Sequence, residues 1–377
     1  MNKEKLFDTP LGDTVLRYND AIVIQLNGSR RVASTSALNG GVKDDLRFVF
    51  NKSCAHELHG KTCPGMKGPT IEEHYSVIAR ELELDPATCT GMGTAALVEN
   101  TAVVTDSYNG VSVTAMVTAG IDVNGGRAGD LARYDEFAKK HINISPDNGT
   151  INIFVHINAN MPAGTLNRAL MTATEAKTVA LLELMANSMY SKGLATGSGT
   201  DSLIVVANRE SEIYLENAGK HCKLGEMIGT TVIKAVKEAL DKQTGMNTTR
   251  QSAVSWQNKR YGITQEKTWT YYQHIFGEEA KTEEQFIQSF SKVDTDKKVV
   301  AFVASSVHLL DQYSWGLLDE KTVHDLFSTQ IKSFRDSFSL PALSGHSSDK
   351  HQNLPKRSFQ EMMISPIIST LAYLCHK

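Results

Sequence analysis

Four short segments of this chain combine side chains able to polarise, activate or protonate. The loop TAGIDVNGGRAGD (118–130) gathers Asn124, Gly125, Gly126, Arg127 and Asp130 directly behind a β-prone run. Glycines let a backbone approach a ligand closely, while Asn and Arg supply donors that can polarise an amide or hold a polar substrate. TATEAK (172–177) carries Glu175, a candidate general base, and Lys177, a source of positive charge. Thr172 and Glu175 also have capping-box spacing, which is a structural use. Residues two apart leave a helix on different sides, so Glu175 and Lys177 cannot both face one site from a regular turn. TGSGTD (196–201) ends in Thr200 and Asp201, where a carboxylate can hold a water or orient a histidine; Gly and Asp are also ordinary turn residues. In HCKLGEMIG (221–229), His221 is a candidate proton donor to a leaving amine.

Other motifs are weaker. Cys54, His56, His59 and Cys63 in CAHELHGKTC (54–63) are zinc-type ligands, but their spacing fits no standard finger or knuckle. No metal or cofactor requirement is expected. GMGTAA (91–96) and TGSGTD both lead into strands, whereas a phosphate-cradling loop runs from strand to helix N-terminus. His-Glu-x-x-His and Gly-x-Ser-x-Gly are both absent.

The elements that must position these residues are legible as patterns. Asn27-Gly28 and Asn109-Gly110 each stand between β-prone runs and predict hairpins with type I′ turns. Strands are also expected at 151–157 and 203–207. Helical spacing marks 71–84, 165–186 and 224–240. This mixture, without a strict strand–helix alternation, predicts an α+β fold: a mixed, largely antiparallel sheet packed with helices, in a domain spanning 1–241. Polar residues 242–257 read as a linker. Residues 258–377 predict a mostly helical C-terminal region, with helices near 265–276, 282–291, 297–312 and 320–334 and a last segment interrupted by Pro366.

Composition bounds the rest. The 377 residues are 41% hydrophobic and 21% charged, a globular profile with room for more than one core. A net charge of −3 offers no global footprint for nucleic acid or an anionic membrane. No apolar run approaches the roughly 18 residues of a spanning helix, and MNKEKLFDTPLG lacks the apolar stretch of a secretory signal. Five scattered cysteines suit reduced thiols, so a cytoplasmic location is expected.

Taken in order, the segments resemble the adenosylcobinamide amidohydrolase (CbiZ) family. The resemblance is carried by NGG (39–41), TAGIDVNGGRAGD, GTINI (149–153), LNRALMTATEAKTVALLEL (166–184), SKGLATGSGTDSLIVVA (191–207) and GKHCKLGEMIGTTVIKAVKEAL (219–240). Three departures stand out: Ser198 where the motif tends to have Thr, Leu131 after Asp130 where it tends to have Pro, and the 54–63 insert. The resemblance implies hydrolysis of the amide joining the aminopropanol arm to the corrin ring, giving adenosylcobyric acid in cobamide (vitamin B12) salvage.

That chemistry needs an activated water or nucleophile, donors for the oxyanion and a proton for the amine. Asp201 or Glu175 is the expected base, His221 the acid, and Asn124 and Arg127 the polarising donors. Thr200 or Thr172 as a covalent nucleophile is a variant. Asn39, Asn124, Gly125, Arg127, Asp130 and Lys177 are the expected substrate-binding positions. The expected partner is a small-molecule corrinoid whose cobalt belongs to the substrate; homo-oligomerisation stays open, and neither nucleic acid nor membrane is expected. Two alternatives compete: a corrinoid-binding or sensing protein without catalysis, and an amidohydrolase for a different amide.

Overall fold

The structure is a computed structural model describing residues 3–55, 65–138, 140–141, 149–342 and 358–377. His56, His59 and Cys63 lie outside the described residues. The chain divides into two compact units, Met1–Asn247 and Thr248–Lys377.

In the first unit, β1 (Glu4–Asp8), β2 (Thr14–Tyr18), β3 (Ala21–Gln25), β4 (Arg30–Ser34), β5 (Gly41–Lys43) and β6 (Phe48–Ser53) precede α1 (Ile71–Glu81). Then come β7 (Cys89–Thr94), β8 (Ala102–Tyr108), β9 (Val111–Gly120), the two-residue strands β10 (Tyr134–Asp135) and β11 (Lys140–His141), and β12 (Thr150–Ile157). Helix α2 (Ala163–Glu183), β13 (Ser202–Asn208) and α3 (Lys223–Thr244) complete it. The strands form a 5-stranded sheet, β1-β2-β3-β6-β7, and a 6-stranded sheet, β5-β4-β13-β12-β9-β8, with β10 and β11 paired separately. Pairing is antiparallel except for β6–β7 and β12–β13. Those parallel pairs flank α1 and α2, because parallel neighbours need a crossover rather than a tight turn. The fold is therefore α+β, with the expected mixed and largely antiparallel strands shared between two main sheets.

Strand alternation decides what faces what. Ile22, Ile24, Val49 and Met92 of the first sheet bury against Val32, Met116, Phe154, Ile204 and Val206 of the second. The other side of the 6-stranded sheet packs Val113, Ala115, Ile153, Val155 and Val205 under α2 and α3. On the outer side of the 5-stranded sheet, Val23, Phe50 and Cys89 meet Ile78 and Ala79 of α1. The result is a layered order of helix, sheet, sheet, helices.

Asn109 and Gly110, with φ of 47° and 80°, close the expected β8–β9 hairpin. The reading at Asn27-Gly28 is corrected: β3 belongs to the first sheet and β4 to the second, so this turn carries the chain between sheets. Asp13 accounts for it, accepting hydrogen bonds from the Asn27 N–H at 2.9 Å and from Arg30 Nε at 3.0 Å and so tying both flanks of the turn. The hairpin in this region is instead β2–β3, turned by Asn19 and Asp20 at φ 47° and 53°.

Thr172 does not cap a helix. It lies inside α2, whose N-cap is Pro162, and its hydroxyl donates to the Ala218 carbonyl at 2.8 Å. In the second unit, α4 (Thr248–Gln251) and α5 (Val254–Gln257) occupy much of the stretch expected as a linker, with Gln251, Ala253 and Val254 buried. They are followed by α6 (Gln265–Phe276), α7 (Glu283–Thr295), α8 (Lys297–Ser314), α9 (Glu320–Ser337) and α10 (Phe359–His376). Helix α10 continues through Pro366 rather than stopping there. The core of this second unit includes Val303, Val307, Val323, Phe327, Ile367 and Ile368. No helix among the described residues is long and apolar enough to cross a membrane.

Candidate active site

Because β12 and β13 run parallel and β9 runs against β12, the end of β9 and the starts of β12 and β13 share one end of the sheet. The loop 121–130 follows β9 there, and 196–201 leads into β13. Gly126 and Gly197 join these loops: the Gly126 N–H donates to the Gly197 carbonyl and the Thr196 N–H to the Gly126 carbonyl, each at 2.8 Å.

Asp201 stands at the centre of this end. Its Oδ1 accepts from the Ile151 N–H at 2.9 Å and from the Ser198 hydroxyl at 2.6 Å. Its Oδ2 accepts from the Ser198 N–H at 3.0 Å and from the Lys177 ammonium. The Lys177 and Asp201 side chains are each 8% exposed. Thr200 is exposed above them and shares a 2.7 Å hydroxyl contact with Thr150. Thr200 Oγ1 and Asn124 Nδ2 both donate to the Gly149 carbonyl, at 3.3 and 2.7 Å. Gly149 must stay small, since a Cβ there would lie 2.2 Å from Asn124 Oδ1 and 2.4 Å from the Gly120 carbonyl.

The structure thus brings Asp201, Lys177, Thr200, Asn124 and Gly125 to one place. Arg127 is exposed on the adjoining loop. Asp130 braces that loop, accepting from the Arg127 N–H at 2.8 Å and the Ser188 hydroxyl at 2.6 Å. Burial pushes the Asp130 carboxyl up, but hydrogen bonds from Ser188, Ser191 and the Arg127 N–H, with the Arg127 charge, hold it below its usual value. Asn39 has its side-chain N–H groups committed to the Pro86 and Cys89 carbonyls, at 2.7 and 2.8 Å. Glu175 leaves α2 on another side, as its two-residue offset from Lys177 requires, and pairs with Lys220 at 2.6 Å. His221 is exposed beside Lys220. No described contact links Glu175 or His221 to the Asp201 cluster.

Sequence reading missed the hydroxyls of Ser198 and Thr150 as members of the cluster. It also missed a polar array between the sheets, in which Asn152 Nδ2 donates to Asn51 Oδ1 at 2.8 Å and Asn51 Nδ2 to Thr118 Oγ1 at 2.9 Å. The available signal was an Asn at a core-facing position of two apolar strands, FVFNKS and TINIFVHI. Asn152 Oδ1 and Asn124 Oδ1 are buried without a hydrogen-bond partner among the described residues.

The metal reading is corrected at Cys54, which is disulfide-bonded and so not an available thiolate ligand. The expectation of five reduced thiols is corrected there too, while Cys89, Cys222 and Cys375 are free. Among the described residues no group of three or more His, Cys, Asp or Glu side chains could hold a metal ion.

The family model described as adenosylcobinamide amidohydrolase matches residues 6–248, a span containing every segment of this site. The chain belongs to the adenosylcobinamide amidohydrolase family. An uncharacterized protein of Methanocaldococcus jannaschii is 31% identical over 240 residues, covering 61% of this chain and 89% of that one. A protein of Methanosarcina mazei named adenosylcobinamide amidohydrolase is 29% identical over 217 residues, covering 55% and 90%. A solved structure from Pyrococcus horikoshii aligns with 63% of this chain and 81% of its own at 13% identity, with a TM-score of 0.29.

Proposed function

We propose that the chain hydrolyses the amide between the aminopropanol arm and the corrin ring of adenosylcobinamide, releasing adenosylcobyric acid and aminopropanol for cobamide salvage. The family match over 6–248, which spans the whole Asp201 end, is the observation that carries this reading. The polar groups there suit the reaction. Amide hydrolysis needs donors where negative charge develops on the carbonyl oxygen, and Lys177 and Asn124 are donors at this end. Hydroxyls of Ser198 and Thr200 stand at its exposed edge, where they can hold a water. Glu175 and exposed His221 are left outside this constellation.

In this reading the corrinoid is substrate, and its cobalt is cargo rather than a resident cofactor. No further metal or cofactor enters the step. The reaction fits a cytoplasmic protein that meets neither nucleic acid nor membrane. Incubation of the purified chain with adenosylcobinamide, followed by chromatographic separation of corrinoids, tests it: adenosylcobyric acid should accumulate with time and enzyme. Bound but unchanged corrinoid would replace this reading with a sensor.

A further inference from the structure

We propose, building on the amide-hydrolysis reading, that Lys177 is the catalytic residue that meets the scissile carbonyl oxygen, and that Asp201 is a positioning residue that holds Lys177 in place. This inverts the role expected of Asp201, which with Glu175 was one of two candidate bases.

A carboxylate offers about four lone-pair sites. In Asp201 all four have donors: the Ile151 N–H, the Ser198 hydroxyl, the Ser198 N–H and the Lys177 ammonium. To accept a proton from water, Asp201 must first release one of them. Lys177 is in the opposite condition. An ammonium carries three donors, and among the described residues Lys177 makes one hydrogen bond, to Asp201. Two N–H groups remain for a ligand, on a side chain that keeps an 8% accessible edge and is rooted in the middle of α2.

The backbone makes room for this arrangement. A Cβ at Gly197 would lie 2.2 Å from Asp201 Oδ2 and 2.6 Å from Lys177 Nζ, so the pair rests against a bare Cα. Two residues on, exposed Gly199 has open space around it, and its N–H has no partner among the described residues. That N–H is the candidate second donor. Stability alone is a weak reason for such a pair, because removing two charges from water offsets most of their attraction.

In the step itself, the oxygen of water adds to the amide carbon and the carbonyl π pair moves onto oxygen, where Lys177 donates. When the intermediate collapses, the C–N bond breaks and the proton lost by water ends on the departing amine. Lys177 keeps its proton throughout.

The test uses the full chain and adenosylcobinamide. Lys177→Met should lower kcat by about 10²–10³-fold, the range for a lost oxyanion donor, with KM changed far less. Lys177→Ala should regain part of its rate with added ethylammonium. Asp201→Asn, which leaves the ammonium present, should keep more kcat than Lys177→Met. Should Lys177→Met misfold around its unpaired carboxylate, the double variant Lys177→Met/Asp201→Asn removes that charge and should show the same loss. A folded Lys177 variant with near wild-type kcat, or an Asp201→Asn more damaged than Lys177→Met with no amine rescue, overturns the inference alone. A wild-type chain that forms no adenosylcobyric acid overturns the amidohydrolase reading and this inference with it.

Discussion

Two buried ion pairs in the first unit have different fates because of what surrounds them. Lys177 and Asp201 keep an accessible edge at one end of β12, whereas Asp13 and Arg30 are sealed at the other end, with side chains 0% and 2% exposed. Arg30 is fully engaged there, donating to Asp13, to Asn208 Oδ1 at 3.0 Å and to the Leu11 carbonyl at 2.7 Å, and His156 Nδ1 lies 3.4 Å from Asp13. Burial pushes the Asp13 carboxyl up, but His156, the Asn27 N–H and Arg30 outweigh it and hold it below its usual value. Its folded value therefore lies below the unfolded one. The stabilisation is complete above the unfolded value of about 3.9 and is lost as pH falls through the folded value. Asp13→Asn should destabilise the chain by about 3–5 kcal/mol near neutrality, because it removes the buried carboxylate facing the Arg30 guanidinium and leaves it the exposed Glu210 at 3.4 Å. Urea melts as a function of pH should show this deficit shrinking below about pH 4. A deficit independent of pH would deny the carboxylate its charged role.

At the scale of elements, the same β9 that delivers the loop 121–130 to the site begins in the Asn109-Gly110 turn at the sheet's far end. Gly110→Ala places a Cβ at φ 80° and should reduce stability by about 1–2 kcal/mol while leaving turnover unchanged. A matching loss of turnover would show that the hairpin sets the geometry of the site. Helices were the most legible elements. The spacing that predicts 265–276 is matched by α6 at Gln265–Phe276, because an amphipathic period is a local property. Strand partners were less so: the runs around Asn27-Gly28 are correct strands, but a buried Asp13 fourteen residues upstream sends them to different sheets. The site shows the same division. Asp201, Thr200 and Asn124 were readable as motif members because their loops are short and polar, and Lys177 because TATEAK is a polar interruption in an apolar helix. Thr150 and Asn51 were not: the β12–β13 pairing sets Thr150 beside Thr200, and packing of one sheet on the other sets Asn51 against Thr118 and Asn152. Nothing local distinguishes Glu175 from Lys177; only the helix phase separates them.

Across the whole molecule, the described site falls within the first compact unit, and the family match ends one residue beyond it; the last helix of that unit, α3, closes at the Gly245 cap, φ 70°. The second unit has its own apolar core. Residues 1–247 expressed alone should therefore fold with a single cooperative melt and retain most of the full chain's turnover. Insoluble or inactive material would assign the helical unit a part in folding or substrate capture. The bond that is cut defines the function. Its most direct measurement is simultaneous quantification of adenosylcobyric acid and aminopropanol from adenosylcobinamide incubated with the wild-type chain. Hydrolysis of the aminopropanol amide should yield equal molar amounts of both, growing with time and enzyme concentration. Intact adenosylcobinamide after extended incubation with folded protein would contradict it.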